Sequence, residues 1–240
     1  MKILDDVIDS LAHGETKVGE IHVCAHWTAV LSRHCGLAST FKEEVHPHKG
    51  VRDVGHLTEK SVFELALYSR SENLLEASIG MAAINSLIDI DESMCVEANA
   101  YEILVEKGRG KNVAVVGHFP FISTVRESAK NLWVIEKRPV KGDLPEEAAE
   151  EILPQCDVVG ITGTTFINHT LESLLVQCKE SYVALIGPTT PLTPILFDYG
   201  VDVISGSKVV EPQEVIRFIS QGATFKELHH HGVKLLTMMR

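Results

Sequence analysis

Three short apolar runs in the second half of the chain each end in a turn of small residues. The runs cover residues 113–116, 158–161 and 183–186, and the turns after them begin at Gly117, Thr162 and Gly187. Apolar runs of this length, separated by stretches with helical spacing, indicate strands of a buried parallel sheet. Because open α/β sheets bind ligands in the crevice at the carboxyl ends of their strands, these turns predict a small-molecule site.

Strand and helix patterns alternate through most of this half. Strands are predicted over residues 113–116, 132–136, 157–161, 182–186 and 201–204, and helices over 101–105, 144–153, 166–178 and 212–219. Such alternation favours right-handed crossovers and a parallel sheet that is covered on both faces. The second half therefore predicts a Rossmann-like α/β domain.

The first part of the chain has a different pattern. We predict a helix over residues 1–11 that ends at Gly14, strands over 20–24, 27–31 and 35–40, a polar loop over 42–59, and a helix over 72–87. Ser61 and Glu64 have the spacing of a capping box at the start of another helix. An acidic stretch at 88–97 marks the seam, so we predict a small α+β domain at residues 1–95 and the Rossmann-like domain at residues 96–240.

Composition narrows the classes of partner. The net charge is −11, and the absence of a dense Lys/Arg cluster argues against nucleic acid and against anionic membranes. No apolar stretch approaches the ~20 residues that span a bilayer, and acids stand where a signal peptide has its apolar core. The five cysteines form no Cys-x-x-Cys pair, which fits free thiols in the cytoplasm. The expectation of a homo-oligomer rests only on how common homo-oligomers are among soluble proteins.

The turn after the first Rossmann strand reads Gly117-His118-Phe119-Pro120. A dinucleotide cradle has three glycines, whereas here only Gly117 is present and Pro120 lacks a backbone donor, so ordinary NAD binding is disfavoured. His118 faces a ligand as a donor or acid/base in one interpretation. In the other, it is a strand-end histidine bonded to backbone.

Glu136 ends the second strand, nineteen residues after Gly117. An acid about 20 residues after the first glycine commonly binds ribose hydroxyls. The alternative is a surface ion pair with Lys137 or Arg138.

Two further turns carry hydroxyl groups, with capping or simple chain reversal as the alternative to ligand binding. Binding by either turn would favour an anionic group. The candidate residues are Thr162, Gly163, Thr164, Thr165 and Asn168 in one turn, and Gly187, Pro188, Thr189 and Thr190 in the other.

The first domain offers Asn85, His26 and Trp27 to close such a pocket. Asn85 stands in a small, apolar helix face and needs a partner if it is buried, which can be protein instead of ligand. Trp27 is more often a core residue than a stacking surface.

Histidines raise the question of a metal. His46, His48 and His56 stand in the polar loop near Glu43, Glu44 and Asp53, and residues 229–231 are a histidine triplet. Imidazole and carboxylate ligands suit transition metals, but loop histidines are usually solvated and no helical pair fixes these. A transition metal stays an alternative, without an assigned ligand set.

Longer motifs carry a resemblance to a known family. Residues 115–120, 134–136, 161–168 and 187–192 resemble the family described as "putative heavy-metal chelation" domains, DUF364, and residues 78–85 resemble its N-terminal DUF4213-type partner domain. The resemblance implies an enolase-N-terminal-like α+β domain followed by a Rossmann-like domain, with a site between them. No biochemical activity is implied by it.

These observations lead to one main hypothesis and two alternatives. The main hypothesis is an enzyme-like small-molecule site at the domain junction, for a nucleotide-, pterin- or S-adenosylmethionine-like ligand, with His118 as the catalytic candidate. The first alternative is a non-catalytic binding protein for a metal or a metal chelate. The second is a nucleotide-responsive interaction protein whose ligand only orders the junction.

Overall fold

The computed structural model describes residues 1–11, 16–41 and 50–240 and confirms the predicted fold class. The helices are α1 (Lys2–Asp9), α2 (Val62–Ala66), α3 (Leu74–Leu87), α4 (Ala100–Gly108), α5 (Ile122–Ser128), α6 (Ala149–Ile152), α7 (Leu171–Gln177), α8 (Pro212–Ser220) and α9 (Phe225–Leu228). The strands are β1 (Glu20–Val23), β2 (Trp27–Leu31), β3 (Cys35–Ser39), β4 (Cys95–Val96), β5 (Asn112–Val116), β6 (Asn131–Glu136), β7 (Leu144–Pro145), β8 (Val158–Thr162), β9 (Tyr182–Ile186), β10 (Val203–Val209) and β11 (Val233–Met239).

The large sheet has the strand order β4-β11-β10-β9-β8-β5-β6-β7. Strands β7, β6, β5, β8, β9 and β10 pair in parallel, whereas β11 and β4 are antiparallel to their neighbours. The chain moves outward from β5 to β6 and β7, then returns to the other side of β5 with β8. This is the doubly wound order, whose direction reverses between β5 and β8.

Both faces of the parallel strands are covered because their residues are apolar without alternation. Val113 and Val115 pack with α4 and α5 on one face, and Ala114, Val159 and Ile161 belong to the cluster that includes α7 on the other. Burial on both faces explains the continuous apolar runs of the sequence.

A three-stranded antiparallel sheet, β1-β2-β3, forms the small lobe with α1, α2 and α3. We use "small lobe" for the described residues up to 88 and "large lobe" for residues 95–240. Alternation places Val30 and Ala38 in the core with α3, and Trp27 and Leu37 against α8 and α9 of the large lobe. The small sheet is therefore held between a helix of its own lobe and two helices of the large lobe.

Helix α3 is buried on nearly every side. A Cβ on Gly36 would lie 2.0 Å from the Ala82 carbonyl oxygen, and one on Gly80 would lie 1.9 Å from the Ser69 nitrogen. Glycine is required at both positions because the backbones on either side of α3 approach too closely for any side chain.

Several elements differ from the sequence predictions. The capping box at Ser61 and Glu64 is confirmed. The predicted helix over 166–178 is wrong at its start: α7 begins at Leu171, after His169 with φ 62°. The predicted helix over 144–153 is wrong only at its start, since residues 144–145 are strand β7; helical turns follow from Glu146 to Gln155, and Ala149–Ile152 is their α-helical part.

Strand β11 and helix α5 are absent from the predictions, and β10 extends five residues beyond the predicted 201–204. Strand β4 lies at the predicted domain boundary and pairs with β11. The predicted stop at Gly14 lies outside the described residues. Within the described ranges, no helix has the length and apolar character needed to cross a bilayer.

Candidate functional site

The carboxyl ends of β5 and β8 meet where the strand order reverses. Gly117 follows β5 with φ +104°, and a Cβ there would lie 3.1 Å from the side chain of Thr162 at the end of β8. A residue other than glycine would be strained in this conformation and would press on Thr162. Gly117 therefore sets the direction in which the chain leaves the sheet, and with it the position of His118.

His118 is half exposed and bonded to a buried carboxylate. Its Nδ1 lies 3.0 Å from Oδ2 of Asp143, whose side chain is only 4% exposed. An ionised carboxylate can only accept, so Nδ1 donates and Nε2 of the neutral ring is left as an acceptor. Among the described residues Nε2 has no hydrogen-bond partner. This arrangement fixes the ring and leaves one imidazole nitrogen unbonded, as a general acid or base requires.

Asp143 is itself held by a tight turn. The backbone N–H of Val140 donates to Asp143 Oδ2 at 3.2 Å, and the Asp143 N–H donates to the Val140 carbonyl at 3.0 Å. Gly142, with φ +103°, allows the chain to reverse there. The turn therefore fixes the carboxylate before any ligand arrives.

Glu136 binds the backbone of this region. Its Oε2 accepts the His118 N–H at 3.0 Å, and its Oε1 accepts the N–H groups of Lys137 at 2.8 Å and Arg138 at 3.4 Å. A carboxylate has about four acceptor positions, so one remains for a ligand hydroxyl. The first effect of Glu136 is to hold the turn that carries His118.

The threonine turn after β8 is a 3₁₀ helix, Gly163–Phe166, and not the start of a long helix. Thr162 Oγ1 and Thr164 Oγ1 are 3.1 Å apart and both side chains are partly exposed. Thr165 is buried and donates to the Thr162 carbonyl. Only the first two hydroxyls therefore remain open to a ligand beside Gly117.

Asn168 lies at the end of the same turn, and its amide oxygen is already used. Oδ1 accepts from the Thr170 hydroxyl at 2.7 Å and from the Thr170 N–H at 3.3 Å, immediately before α7. Asn168 therefore stabilises the turn that leads into α7, and these contacts do not involve the Gly117 turn.

The turn that follows β9 is covered by the small lobe. Thr189 and Thr190 are 1% and 2% exposed. Thr189 Oγ1 accepts the Ser39 N–H at 3.0 Å, and the Asn85 amide donates to the Thr189 carbonyl at 3.3 Å and to the Leu37 carbonyl at 2.9 Å. Asn85 thus has protein partners, as one of its two interpretations required. Gly187 and Pro188 are partly exposed at the start of this turn.

Trp27 and His26 are placed apart from Gly117. Trp27 is 7% exposed, its indole N–H donates to the Ala223 carbonyl, and its ring lies 5.8 Å from that of Phe225. His26 is exposed at the turn between β1 and β2, where its carbonyl accepts the Thr40 N–H. Trp27 therefore acts as a core residue between the small sheet and α9.

An open concavity of about 530 Å³ borders His118 on the side of α5. Phe119 lines it and stacks on Phe121 at 4.9 Å, which in turn lies 6.0 Å from Tyr101. Arg126 also lines it and has no ion pair among the described residues. The concavity thus combines an imidazole, an aromatic ring, a cation and, through Glu127, an anion.

No group of three or more metal-ligating side chains occurs within residues 1–11, 16–41 and 50–240. His46, His48, Glu43 and Glu44 lie outside the described residues. His56 bonds to Glu59 at 3.0 Å, while hydrogen bonds from Lys60 and Tyr68 hold the pKa of Asp53 below its usual value.

The histidine triplet is divided among surface contacts. His231 bonds to Glu214 and stacks on Phe218, and His229 and His230 meet edge to face.

Sequence reasoning missed Asp143. It lies 25 residues after His118, so no local spacing connects the two. The available signal was the Lys141-Gly142-Asp143 turn, which begins five residues after the second strand ends at Glu136, on the same sheet edge as His118. An acid in a glycine turn at that edge was a candidate partner for the histidine.

Comparison with known proteins supports this architecture. A family model described as "DUF364: Putative heavy-metal chelation" matches residues 99–238, and one described as "DUF4213: Putative heavy-metal chelation" matches residues 4–88. An uncharacterized protein of Methanocaldococcus jannaschii is 29% identical over 204 residues, covering 80% of this chain and 77% of that protein.

Two crystal structures of similar proteins cover this chain completely. A protein of unknown function from Desulfitobacterium hafniense is 26% identical, with a TM-score of 0.86 and 98% of that chain covered. One from Pyrococcus horikoshii is 21% identical, with a TM-score of 0.85 and 98% covered, and supports the fold alone. Both are described as members of the DUF364 family.

Proposed function

The chain belongs to the DUF364 family, a family of unknown function described as "Putative heavy-metal chelation", and on that premise we propose an enzyme-like small-molecule site at its open sheet edge. The site comprises the ends of β5, β6 and β8, with Gly117, His118, Glu136 and Thr162 as its central residues. Its ligand is a nucleotide-, pterin- or S-adenosylmethionine-like molecule. His118 transfers a proton or polarises a bond.

One observation carries this proposal: the hydrogen bond from His118 Nδ1 to the buried carboxylate of Asp143. A buried carboxylate that fixes the ring of a histidine favours an acid–base role, because it sets the tautomer and the orientation of the imidazole. Asp143 is a positioning residue here, because it acts on the ligand only through His118. With Nδ1 occupied, proton transfer takes place at Nε2.

The surroundings favour a planar organic ligand without a pyrophosphate. A single glycine and the missing donor of Pro120 leave no cradle for two phosphates. Phe119 offers a ring face, Glu136 keeps one acceptor position for a hydroxyl, and Thr162 and Thr164 add two hydroxyls. S-adenosylmethionine and adenosine are therefore the first ligands to test.

The first experiment is native mass spectrometry of untagged protein purified without added metal or chelator. An added mass of several hundred daltons identifies the ligand class directly. Titration calorimetry then compares S-adenosylmethionine and adenosine on wild type, His118→Gln and Asp143→Asn. We expect both substitutions to weaken binding about tenfold, which is the usual effect of losing a hydrogen bond to a charged or oriented group.

A matched control is available in the small lobe. His22 is a surface histidine bonded to the carboxylate of Glu20 at 2.8 Å, as His118 is bonded to Asp143. His22→Gln should leave ligand affinity unchanged. Equal binding of all ligands found to wild type, His118→Gln and Asp143→Asn would show that the site is wrongly assigned.

The family description favours one second candidate, the binding of a metal held by an organic chelator. His118 Nε2 would supply one imidazole donor to such a metal, while the organic part occupies the concavity beside Phe119. Titration with Ni²⁺ alone and with a preformed Ni²⁺–nitrilotriacetate complex distinguishes binding of the free metal ion from binding of the metal chelate. Binding of the complex that is lost in His118→Gln, but kept in a His229→Ala/His230→Ala/His231→Ala variant, supports it. Retention in His118→Gln excludes it.

A further inference from the structure

A second cavity, of about 310 Å³, lies at the seam between the two lobes. It is formed by the start of β3, the segment that follows α3 and the second half of β10, and none of its lining residues belongs to the Gly117 or Thr162 turns. Its volume is at the lower end of the range of small-molecule sites, about 300–1,000 Å³. We call it the seam cavity.

Ser207 lines the seam cavity with an unsatisfied group. Its Oγ is buried and has no hydrogen-bond partner in the part of the chain that the structure describes. A buried hydroxyl without a partner costs free energy, and a ligand atom that bonds to it removes that cost. Ser207 therefore points to an occupant with a polar group.

Asp91 and Lys208 line the same cavity with opposite charges, and each keeps hydrogen-bonding positions that no described residue uses. Asp91 uses Oδ1 to accept from the Ser93 hydroxyl at 2.6 Å and the Ser93 N–H at 2.9 Å, and these bonds lower the pKa of its carboxyl. Its Oδ2 makes no hydrogen bond to any described residue. Lys208 donates one N–H to Glu92 at 2.5 Å, and its ammonium keeps two further donors.

The neighbouring carboxylate of Asp89 is already paired with a cation, whereas Asp91 forms no ion pair with any described residue. Asp89 accepts from Arg33 at 2.8 Å and from His34 at 2.7 Å, one bond on each oxygen. Between the charged groups the wall is aliphatic, with Ile88 and Val209 lining the cavity. A complementary molecule has an ammonium, a carboxylate and an apolar part.

We propose that the seam cavity binds a free amino acid with an aliphatic side chain. The ammonium of the ligand bonds to Asp91, and its carboxylate bonds to Lys208 and the Ser207 hydroxyl. The aliphatic side chain lies against Ile88 and Val209.

The probe is L-leucine, with two analogues that each lack one charge. Removal of the ammonium gives 4-methylpentanoate, and removal of the carboxylate gives 3-methylbutan-1-amine. We expect calorimetry on the wild-type protein to show saturable binding of L-leucine, and binding of each analogue at least fivefold weaker. An analogue that binds as tightly as L-leucine overturns the proposal, as does a lack of saturation at ~10 mM L-leucine.

Two substitutions locate the binding. Ser207→Ala and Asp91→Asn should each weaken L-leucine binding about fivefold. Because the Ser207 hydroxyl has no partner, Ser207→Ala should leave the urea midpoint of the free protein unchanged or higher, which separates binding from folding. Ser220→Ala, at the exposed end of α8, is the matched control. Unchanged affinity in both Ser207→Ala and Asp91→Asn overturns the proposal.

This inference is independent of the site at His118. His118→Gln should bind L-leucine as wild type does, and Ser207→Ala should bind S-adenosylmethionine as wild type does. Loss of L-leucine binding in His118→Gln would place the amino acid at the sheet edge and overturn the seam assignment.

Discussion

The turns at Gly117 and Gly187 leave the same edge of the large sheet, but the small lobe covers only the second. Thr189 and Thr190 are almost fully buried, and Thr189 is bonded to Ser39 and Asn85, whereas His118 is half exposed and keeps a free nitrogen. The open turn is held from within its own lobe by two carboxylates. A rigid turn on this edge therefore serves either to join the lobes or to present a side chain, depending on what lies above it.

The largest effect on stability is expected from adding a side chain at Gly163, which lies against Thr190 of the covered turn. In Gly163→Ala the new Cβ would lie 2.4 Å from Thr190 Oγ1 and 2.6 Å from the Thr190 nitrogen, so the turn must move. We expect a loss of about 3 kcal/mol in the free energy of unfolding, measured with urea. Gly187→Ala is the comparison, because its Cβ meets no atom within 4 Å and its φ of +117° adds strain of about 1–2 kcal/mol. Equal losses in the two variants would contradict the assigned contact.

The next effect concerns the bonds between the lobes. Asn85→Ala removes one hydrogen bond across the lobes, to the Thr189 carbonyl, and one within the small lobe, to the Leu37 carbonyl, so we expect a loss of about 2 kcal/mol in urea unfolding. Asn131→Ala is the control, since it loses a single exposed bond to Asn112 and should change stability by less than about 0.5 kcal/mol. An Asn85→Ala variant as stable as wild type would mean that the bond to Thr189 does not hold the lobes together.

A third effect concerns Glu76 of the small lobe, whose carboxylate accepts the backbone N–H of Arg52. Burial alone would raise the pKa of Glu76, but hydrogen bonds from the Arg52 backbone, Ser71 and the Arg52 side chain outweigh it, and the net pKa is lowered. A carboxyl whose folded pKa is lowered stabilises the protein above its unfolded pKa of about 4.3, and this contribution is lost as pH falls through the folded value.

The test is acid unfolding of wild type and Glu76→Gln, followed by circular dichroism. The stability difference between them should shrink as pH falls below about 4.3. A constant difference from pH 7 to pH 3 would contradict the role of the ionised carboxylate.

The smallest effect on folding is expected at the open turn. His118→Gln removes one hydrogen bond of the buried Asp143 carboxylate, which keeps its bond from the Val140 N–H, and no packed surface, so urea unfolding should change by about 1 kcal/mol or less. The same variant should show the largest loss of ligand binding at the sheet edge. A loss of stability comparable to that of Asn85→Ala would make His118 a structural residue.

The sequence predicted elements whose evidence is local. The apolar runs of β5, β8 and β9 are buried on both faces, and the capping box at Ser61 is completed by its own Glu64. Helix α7 was predicted too early, because the left-handed φ of His169 cannot be seen in a hydrophobic pattern. Strand β11 was missed because it pairs with β10 in antiparallel orientation, whereas an alternation of strands and helices predicts only parallel pairing.

The sequence predicted at which edge of the sheet the candidate site lies, but not the hydrogen-bond partners of its residues. Gly117, His118, Glu136 and Thr162 do lie together where β5 and β8 end. Their roles depend on long-range partners: Asp143 is 25 residues from His118, and Asn85 is 104 residues from Thr189. No spacing rule covers such pairs, so the open and covered turns could not be told apart from sequence.

The bonds of Thr189 also have a kinetic consequence. They connect β3 and α3 to the large sheet, so the lobes cannot separate without breaking several buried hydrogen bonds. The proposed site at the sheet edge therefore predicts that its ligand enters a preformed crevice and does not wait for a closing motion. In stopped-flow mixing, the observed rate constant should rise linearly with ligand concentration and reach no plateau.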